Sequence, residues 1–203
     1  MISKKNKFIF IHIPKTAGTS LEIALEDDSC LFKRGQWSQK PMGFNAPLNH
    51  LTLSQVNQTA DVSPDEKKTF FKFTFVRNPW DKVISECFCP HIQLIFKSCP
   101  TITDKIKMVC EWAEKDGYGG HCRPQSDFIQ DKNLKMNFIG KFENLHQDFQ
   151  SVCTHLGLVP PTLPHLGKTR HKPYWEYYDN ETREIVREKY AQDIQDFNYK
   201  FGE

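Results

Sequence analysis

No stretch of this 203-residue chain approaches the roughly eighteen apolar residues of a membrane-spanning helix, so no integral membrane segment is expected. The net charge of +2 is too small for general nucleic-acid binding, which removes nucleic acid from the expected partners. No internal repeat or low-complexity segment is present, and a cytoplasmic enzyme without a signal peptide is expected because the first motif begins almost at Met1. The seven cysteines, an odd number scattered at Cys30, Cys87, Cys89, Cys99, Cys110, Cys122 and Cys153, favour a reducing compartment. Cys87-Phe-Cys89-Pro-His91 with Cys99 lacks the paired C-x₂₋₄-C spacing of zinc sites, so half-buried thiols and no metal are expected. The kinase and GTPase pattern G-x-x-x-x-G-K-[ST] is also missing.

What the chain does have is an apolar run, Phe8 to Ile13, feeding Pro14-Lys15-Thr16-Ala17-Gly18-Thr19-Ser20 into a predicted helix. A strand, a glycine-bearing loop and a helix N-terminus aim unpaired N–H groups and the positive helix end at one point, where a multiply charged anion can sit. Lys15 adds a full charge there, and Thr16, Thr19 and Ser20 add donors. Lys15 precedes the loop instead of closing it, and Pro14 stands where a first glycine would be. The expected ligand is therefore something other than Mg-ATP. A second strand-like run, Phe70 to Val76, leads directly into Arg77-Asn78-Pro79-Trp80-Asp81, with Ser85 further along. Arg77 and Ser85 would then flank the C-terminal end of a strand, the ligand side of an open α/β sheet.

Together these segments, roughly sixty residues apart, resemble the PAPS-dependent sulfotransferases, in particular the carbohydrate branch with heparan 2-O- and chondroitin 4-O-sulfotransferases and small bacterial relatives. In that family a PKTAGTS-type loop grips the 5'-phosphosulfate of PAPS and an R-N-P-x-D-R-x-x-S element grips its 3'-phosphate. The second pattern departs here at Lys82, where arginine is usual; charge survives but bidentate geometry does not. His50-Leu51-Thr52 resembles a family His-x-Thr segment, and Phe138 to Glu143 resembles an I-G-R-F-E strand and turn. Leu163 to Lys168 and Tyr177 to Phe201 resemble the closing segment, so the likeness covers nearly the whole chain.

The resemblance implies a single P-loop-like sulfotransferase domain over residues 1–203 that moves sulfuryl from PAPS to an acceptor hydroxyl, expected to be a sugar's, and releases 3',5'-ADP without a required metal. Lys15 would stabilise charge growing on the leaving phosphate, with Thr16, Ala17, Gly18, Thr19 and Ser20 around it. Arg77 and Ser85 would hold the 3'-phosphate, and Lys168 and Arg170 would close over the nucleotide. His50 is the expected base, a neutral histidine being the commonest residue for that work. His12 and His165 are alternatives, with His12 expected to be structural. The acceptor is expected to be a glycan or another hydroxyl-bearing molecule. Trp37, Phe44, Trp80, Trp112, Tyr118 and Trp175 are candidate platforms for it, and Gln125, Ser126 and Asp127 candidate hydrogen-bonding groups. The rival readings are a P-loop phosphotransferase and a nucleotide- or glycan-binding module without turnover.

Alternating strand and helix signals argue for an α/β fold with a central, mostly parallel sheet flanked by helices. Strands are expected at Lys7 to Ile13 and Phe70 to Val76. Helices are expected near Thr19 to Glu26, Thr52 to Gln58, Pro79 to Cys89 and Thr103 to Lys115. Ser63-Pro64-Asp65-Glu66 is a helix start, with serine at the N-cap, proline at the first position and glutamate at the third. Leu145, Phe149, Val152, Cys153 and Leu156 repeat at helical spacing, as do Ile185, Val186, Tyr190, Ile194 and Phe197. Asp27 to Pro47 reads as an irregular excursion near the acceptor side, and Asp116 to Gly120 as a break.

Overall fold

Every side chain of Phe8–Ile11 (β2) is buried, as befits a strand covered on both faces. The computed structural model describes residues 1–36, 48–114, 120–164, 166 and 171–203. The other strands are Ile2–Ser3 (β1), Cys30–Leu31 (β3), Phe71–Val76 (β4) and Phe138–Lys141 (β5), in the order β3-β1-β2-β4-β5. Strands β2, β4 and β5 are parallel, with Phe10 beside Phe73 and Phe73 beside Phe138. Strand β1 is antiparallel to both β2 and β3, so the mostly parallel α/β sheet carries a short antiparallel edge. The helices are Gly18–Leu25 (α1), Leu53–Gln58 (α2), Pro64–Thr69 (α3), Pro79–Cys87 (α4), Ile102–Glu114 (α5), Gln125–Ile129 (α6), Leu145–Leu156 (α7), Asn180–Lys189 (α8) and Ala191–Asp196 (α9).

The chain forms two compact units, Met1–Val76 with Asp127–Gly167 and Arg77–Ser126 with Lys168–Glu203. In the first, Phe8, Phe10, Phe73 and Phe75 on one sheet face pack with Leu21 and Leu25 of α1 and Phe149 and Val152 of α7. The rings of Phe10 and Phe73 stack at 5.0 Å. Ring packing also accounts for Gly140: a Cβ there would lie 2.5 Å from the Phe75 ring. Ser63 and Glu66 form the expected capping box at the start of α3. At the other end of α3 the Lys72 ammonium donates to the carbonyls of Lys67, Lys68 and Phe70, groups a helix terminus leaves unsatisfied. Burial pulls the pKa of that ammonium below its usual range.

The second unit centres on Trp80, Val83, Ile84 and Cys87 of α4, Ile106, Val109 and Cys110 of α5, and Val186 and Tyr190. The single helix expected through Ile185 to Phe197 is instead two. Tyr190 (φ −110°, ψ 28°) leaves helical geometry while its fully buried ring sends the hydroxyl to Cys122 O at 2.8 Å. Helix α4 likewise ends at Cys87 instead of Cys89, and Pro90 opens a separate 3₁₀ turn.

Candidate active site

Strand β2 delivers the chain to the carboxyl edge of the parallel strands, where Thr74 Oγ1 of β4 donates to Ile11 O at 2.6 Å. The following turn contains two left-handed residues that are not glycine, Lys15 (φ 67°) and Ala17 (φ 65°). Each costs about 1–2 kcal/mol against a right-handed alternative, and such strain gathers at ligand clamps. Left-handed residues in a turn direct successive N–H groups to one concave side, an arrangement that receives anions. Thr16 is fully buried and its hydroxyl donates to Ile13 O at 2.8 Å, so its proton locks the turn.

Ala17 occupies the N-cap of α1 and has no side chain to cap it. Ser20 N–H and Leu21 N–H turn back to Ala17 O, which leaves the N–H groups of Gly18 and Thr19 ahead of the first helical bonds. Lys15 and Thr19 are half-buried and Ser20 is buried at the same turn. This donor set suits a phosphate-bearing group. Gly18 serves another purpose as well, since a Cβ on it would lie 2.0 Å from His12 Cδ2 and 2.2 Å from His12 Nε2. The imidazole of His12 therefore packs directly beneath the cradle.

His12 and His50, weighed separately as bases from the sequence, prove to be neighbours, their rings 4.4 Å apart and edge to face. His50 is half-buried in a 3₁₀ turn ahead of α2, and its Nδ1 lies 2.9 Å from His12 O. A carbonyl only accepts, so His50 carries its proton on Nδ1 and its lone pair on Nε2. Asn49 and Glu22, which sequence reasoning passed over, complete the cluster. Asn49 Nδ2 lies 3.2 Å from His50 Nε2, and Glu22 Oε1 lies 3.1 Å from His12 Nδ1. His12 and Asn49 are separated by 37 positions, a distance no local pattern bridges.

In the second unit Asn78 caps α4, accepting from Trp80 N–H and donating to Lys200 O. Arg77 is buried, and its Nε donates to Asp81 Oδ2 at 2.7 Å. Its backbone is bracketed by Gln125, which accepts from Arg77 N–H and donates to Arg77 O, both at 2.8 Å. Asp193 in turn accepts from the N–H groups of Gln125 and Ser126. Gln125, considered for the acceptor, thus serves as a clamp on Arg77. Ser85 is buried on α4. Lys82 is 1% exposed and points into the core, its Nζ 3.4 Å from His121 O and above the Tyr190 ring.

Trp80 is buried with its indole N–H on Arg183 O, and Trp112 stacks on Phe96. Trp175 is 47% exposed. Trp37, Phe44, Tyr118, His165, Lys168 and Arg170 lie outside the described residues. All seven cysteines are free and buried. Among the described residues no three His, Cys, Asp or Glu side chains are grouped as a metal would need, and no helix is long and apolar enough to cross a membrane. A groove of about 870 Å³ lies in the first unit between Ser54, Asn57 and Gln58 of α2 and the segment from Ile129 to Met136. None of the cradle residues lines it.

The chain matches the family model described as the sulfotransferase family over residues 1–200. No curated protein and no solved structure matches it.

Proposed function

We propose that this chain, which belongs to the sulfotransferase family, moves the sulfuryl group of PAPS to an acceptor hydroxyl on a carbohydrate and releases 3',5'-ADP. The observation that carries the reading is the strained, uncapped turn into α1, with Lys15 and Ala17 left-handed and Lys15 supplying the charge. When bound, PAPS supplies an activated sulfuryl group on its 5'-phosphate. The N–H groups of Gly18 and Thr19 and the Lys15 ammonium hold that end, and they meet the negative charge that grows on the phosphate as the bond to sulfur breaks. Ser20 and the backbone of Thr16 and Ala17 complete the cradle.

His50 Nε2 takes the proton of the attacking hydroxyl, a step that Nδ1–H on His12 O leaves open. Arg77 and Ser85 hold the 3'-phosphate, with Lys168 and Arg170 as further cations. The Asp81 carboxylate orients the Arg77 guanidinium through Nε. The acceptor class rests on the resemblance of both motifs to the carbohydrate branch. Seven buried, unpaired thiols suit a cytoplasmic setting.

Calorimetric titration with 3',5'-ADP, ADP and ATP tests the donor reading. The 3',5'-ADP should bind about ten- to a hundred-fold more tightly, the value of one charge-assisted phosphate contact. Equal affinities would remove the 3'-phosphate site. Transfer of ³⁵S from PAPS to oligosaccharides, lipids and phenols then identifies the acceptor, and labelling confined to phenols or lipids would refute the carbohydrate assignment.

A further inference from the structure

Glu22 is 2% exposed, and neither of its carboxylate oxygens has an aligned hydrogen-bond partner. Its carboxylate faces the His12 ring, whose Nδ1 approaches Oε1 to 3.1 Å, and the buried Met1 ammonium also acts on it electrostatically. That approach is short but off-axis, so it acts as an electrostatic contact. A buried carboxylate short of donors costs several kcal/mol, which favours a proton on the His12 Nδ1 that faces it. Asn49 Nδ2 lies 3.4 Å from this same nitrogen and 3.2 Å from His50 Nε2. Two donors cannot bond each other, so the amide of Asn49 donates to the lone pair of His50 Nε2.

We propose that Glu22, His12 and Asn49 are positioning residues that fix both the tautomer and the ring orientation of His50. The idea rests on the reading of His50 as base. Glu22 anchors the His12 ring, and the room for that ring exists only because residue 18 is glycine. The anchored ring forms the wall against which His50 stands edge-on, and the His12 carbonyl holds the proton on His50 Nδ1. Asn49 keeps the Nε2 lone pair aimed and occupied until an acceptor hydroxyl replaces its N–H. A single buried cluster thereby couples the floor of the anion cradle to the group that deprotonates the acceptor.

The test begins with side-chain nitrogen NMR of the full chain labelled with ¹⁵N-histidine, a readout that needs no turnover. Wild-type His50 should show its proton on Nδ1 and a bare, hydrogen-bonded Nε2. The near-isosteric Asn49→Asp replaces the donor with a carboxylate, and His50 should become doubly protonated at a pH where the wild type is neutral. Glu22→Gln should leave His50 neutral but loosen the Nδ1 preference of His12. In steady-state transfer, Asn49→Ala, Asn49→Asp and Glu22→Gln should each lower kcat roughly ten-fold or more, as removal of an orienting partner does, with the KM for PAPS within about two-fold. Asn49→Ser, which retains a donor, should recover part of the rate. A wild-type His50 protonated on Nε2, or variants with unchanged kcat, would overturn the relay while leaving the sulfotransferase reading intact. If no acceptor is ever labelled, the functional reading fails and the NMR arm alone decides whether the relay exists.

Discussion

Gly18→Ala separates two reasons for having a glycine in the cradle. If glycine is there only so that backbone can approach an anion, alanine should weaken binding and leave the unliganded protein as stable as before. The geometry argues otherwise. The added Cβ would sit 2.0 Å from His12 Cδ2, 2.2 Å from Nε2 and 2.6 Å from Cγ, whereas carbon atoms rest about 3.5 Å apart. The ring must therefore retreat about 1.5 Å, away from its contact with Glu22 and its packing against His50. Overpacking of this kind costs about 1–3 kcal/mol, offset by the roughly 0.5–1 kcal/mol that alanine gains over glycine in a helix. A net loss of about 1–2 kcal/mol corresponds to a melting temperature lower by roughly 2–8 °C for a chain of this size.

Thermal and urea unfolding without ligand provide the assay. A double-mutant cycle with His12→Ala assigns the cause, because removing the ring removes the clash and should give a coupling of at least about 1 kcal/mol. An unliganded Gly18→Ala protein that melts at or above the wild-type temperature would refute the reasoning. So would a cycle that closes with no coupling.

Ala17→Gly should act in the opposite sense: relief of the left-handed alanine (φ 65°) should raise stability by up to about 1 kcal/mol, and a lower urea midpoint would contradict it. Glu86→Ala should destabilise the second unit by about 2 kcal/mol, since Glu86 is fully buried 2.6 Å from His121 Nδ1 and a hydrogen bond to a charged group contributes about that much. Unchanged unfolding would show that the pair carries no net energy. Burial pushes the Cys110 thiol from 9.0 up to about 12, and it also raises Cys87 and Cys122. Above pH 9 the unfolded chain has lost protons that the fold retains, so stability should fall as pH rises, by about 1.4 kcal/mol per unit for each such thiol. Urea midpoints at pH 8 and 10 measure this, and Cys110→Ala should flatten the slope.

The parts of the fold legible in the sequence are those whose cause is local. Phe8 to Ile13 announces a buried strand by its apolar run, and Ser63, Pro64 and Glu66 announce a helix start by their own hydrogen bonds. Strands β1 and β3 span two residues each, too short to show alternation, and they exist because Ile2 and Ser3 have partners on both sides. The break at Tyr190 is invisible for a related reason: its spacing is helical, and only the distant Cys122 carbonyl shows why the ring is held elsewhere. Lys15 and Gly18 could be read as a cradle, yet the strain at Ala17 has no sequence signature, because alanine carries the Cβ that disfavours the left-handed region and glycine is the residue expected there. The clamp of Gln125 on Arg77 spans 48 positions, and nothing in either neighbourhood points to the other.

Helix α4 shows how one element can carry two kinds of charge. Residues four apart share a helix face, so Asp81 and Ser85 lie along one side of α4, which Arg77 meets through Asp81, while Lys82 and Glu86 lie along another. On the first side the Arg77 guanidinium is already oriented by Asp81, at 2.7 Å, a preorganised fork of the kind that suits a phosphate monoester. On the second, Lys82 reaches the His121 carbonyl and Glu86 the His121 ring, so both charges end on the same residue inside the core. This explains why lysine is admissible where the sulfotransferase pattern has arginine. A compact ammonium on a flexible stem fits beside the Tyr190 ring and a single carbonyl without needing the planar, bidentate geometry that a phosphate contact at this position would demand. Lys82 therefore belongs to the stability of the second unit, and the donor contacts proposed above are left to Ser85 of α4 and to Arg77 just before it.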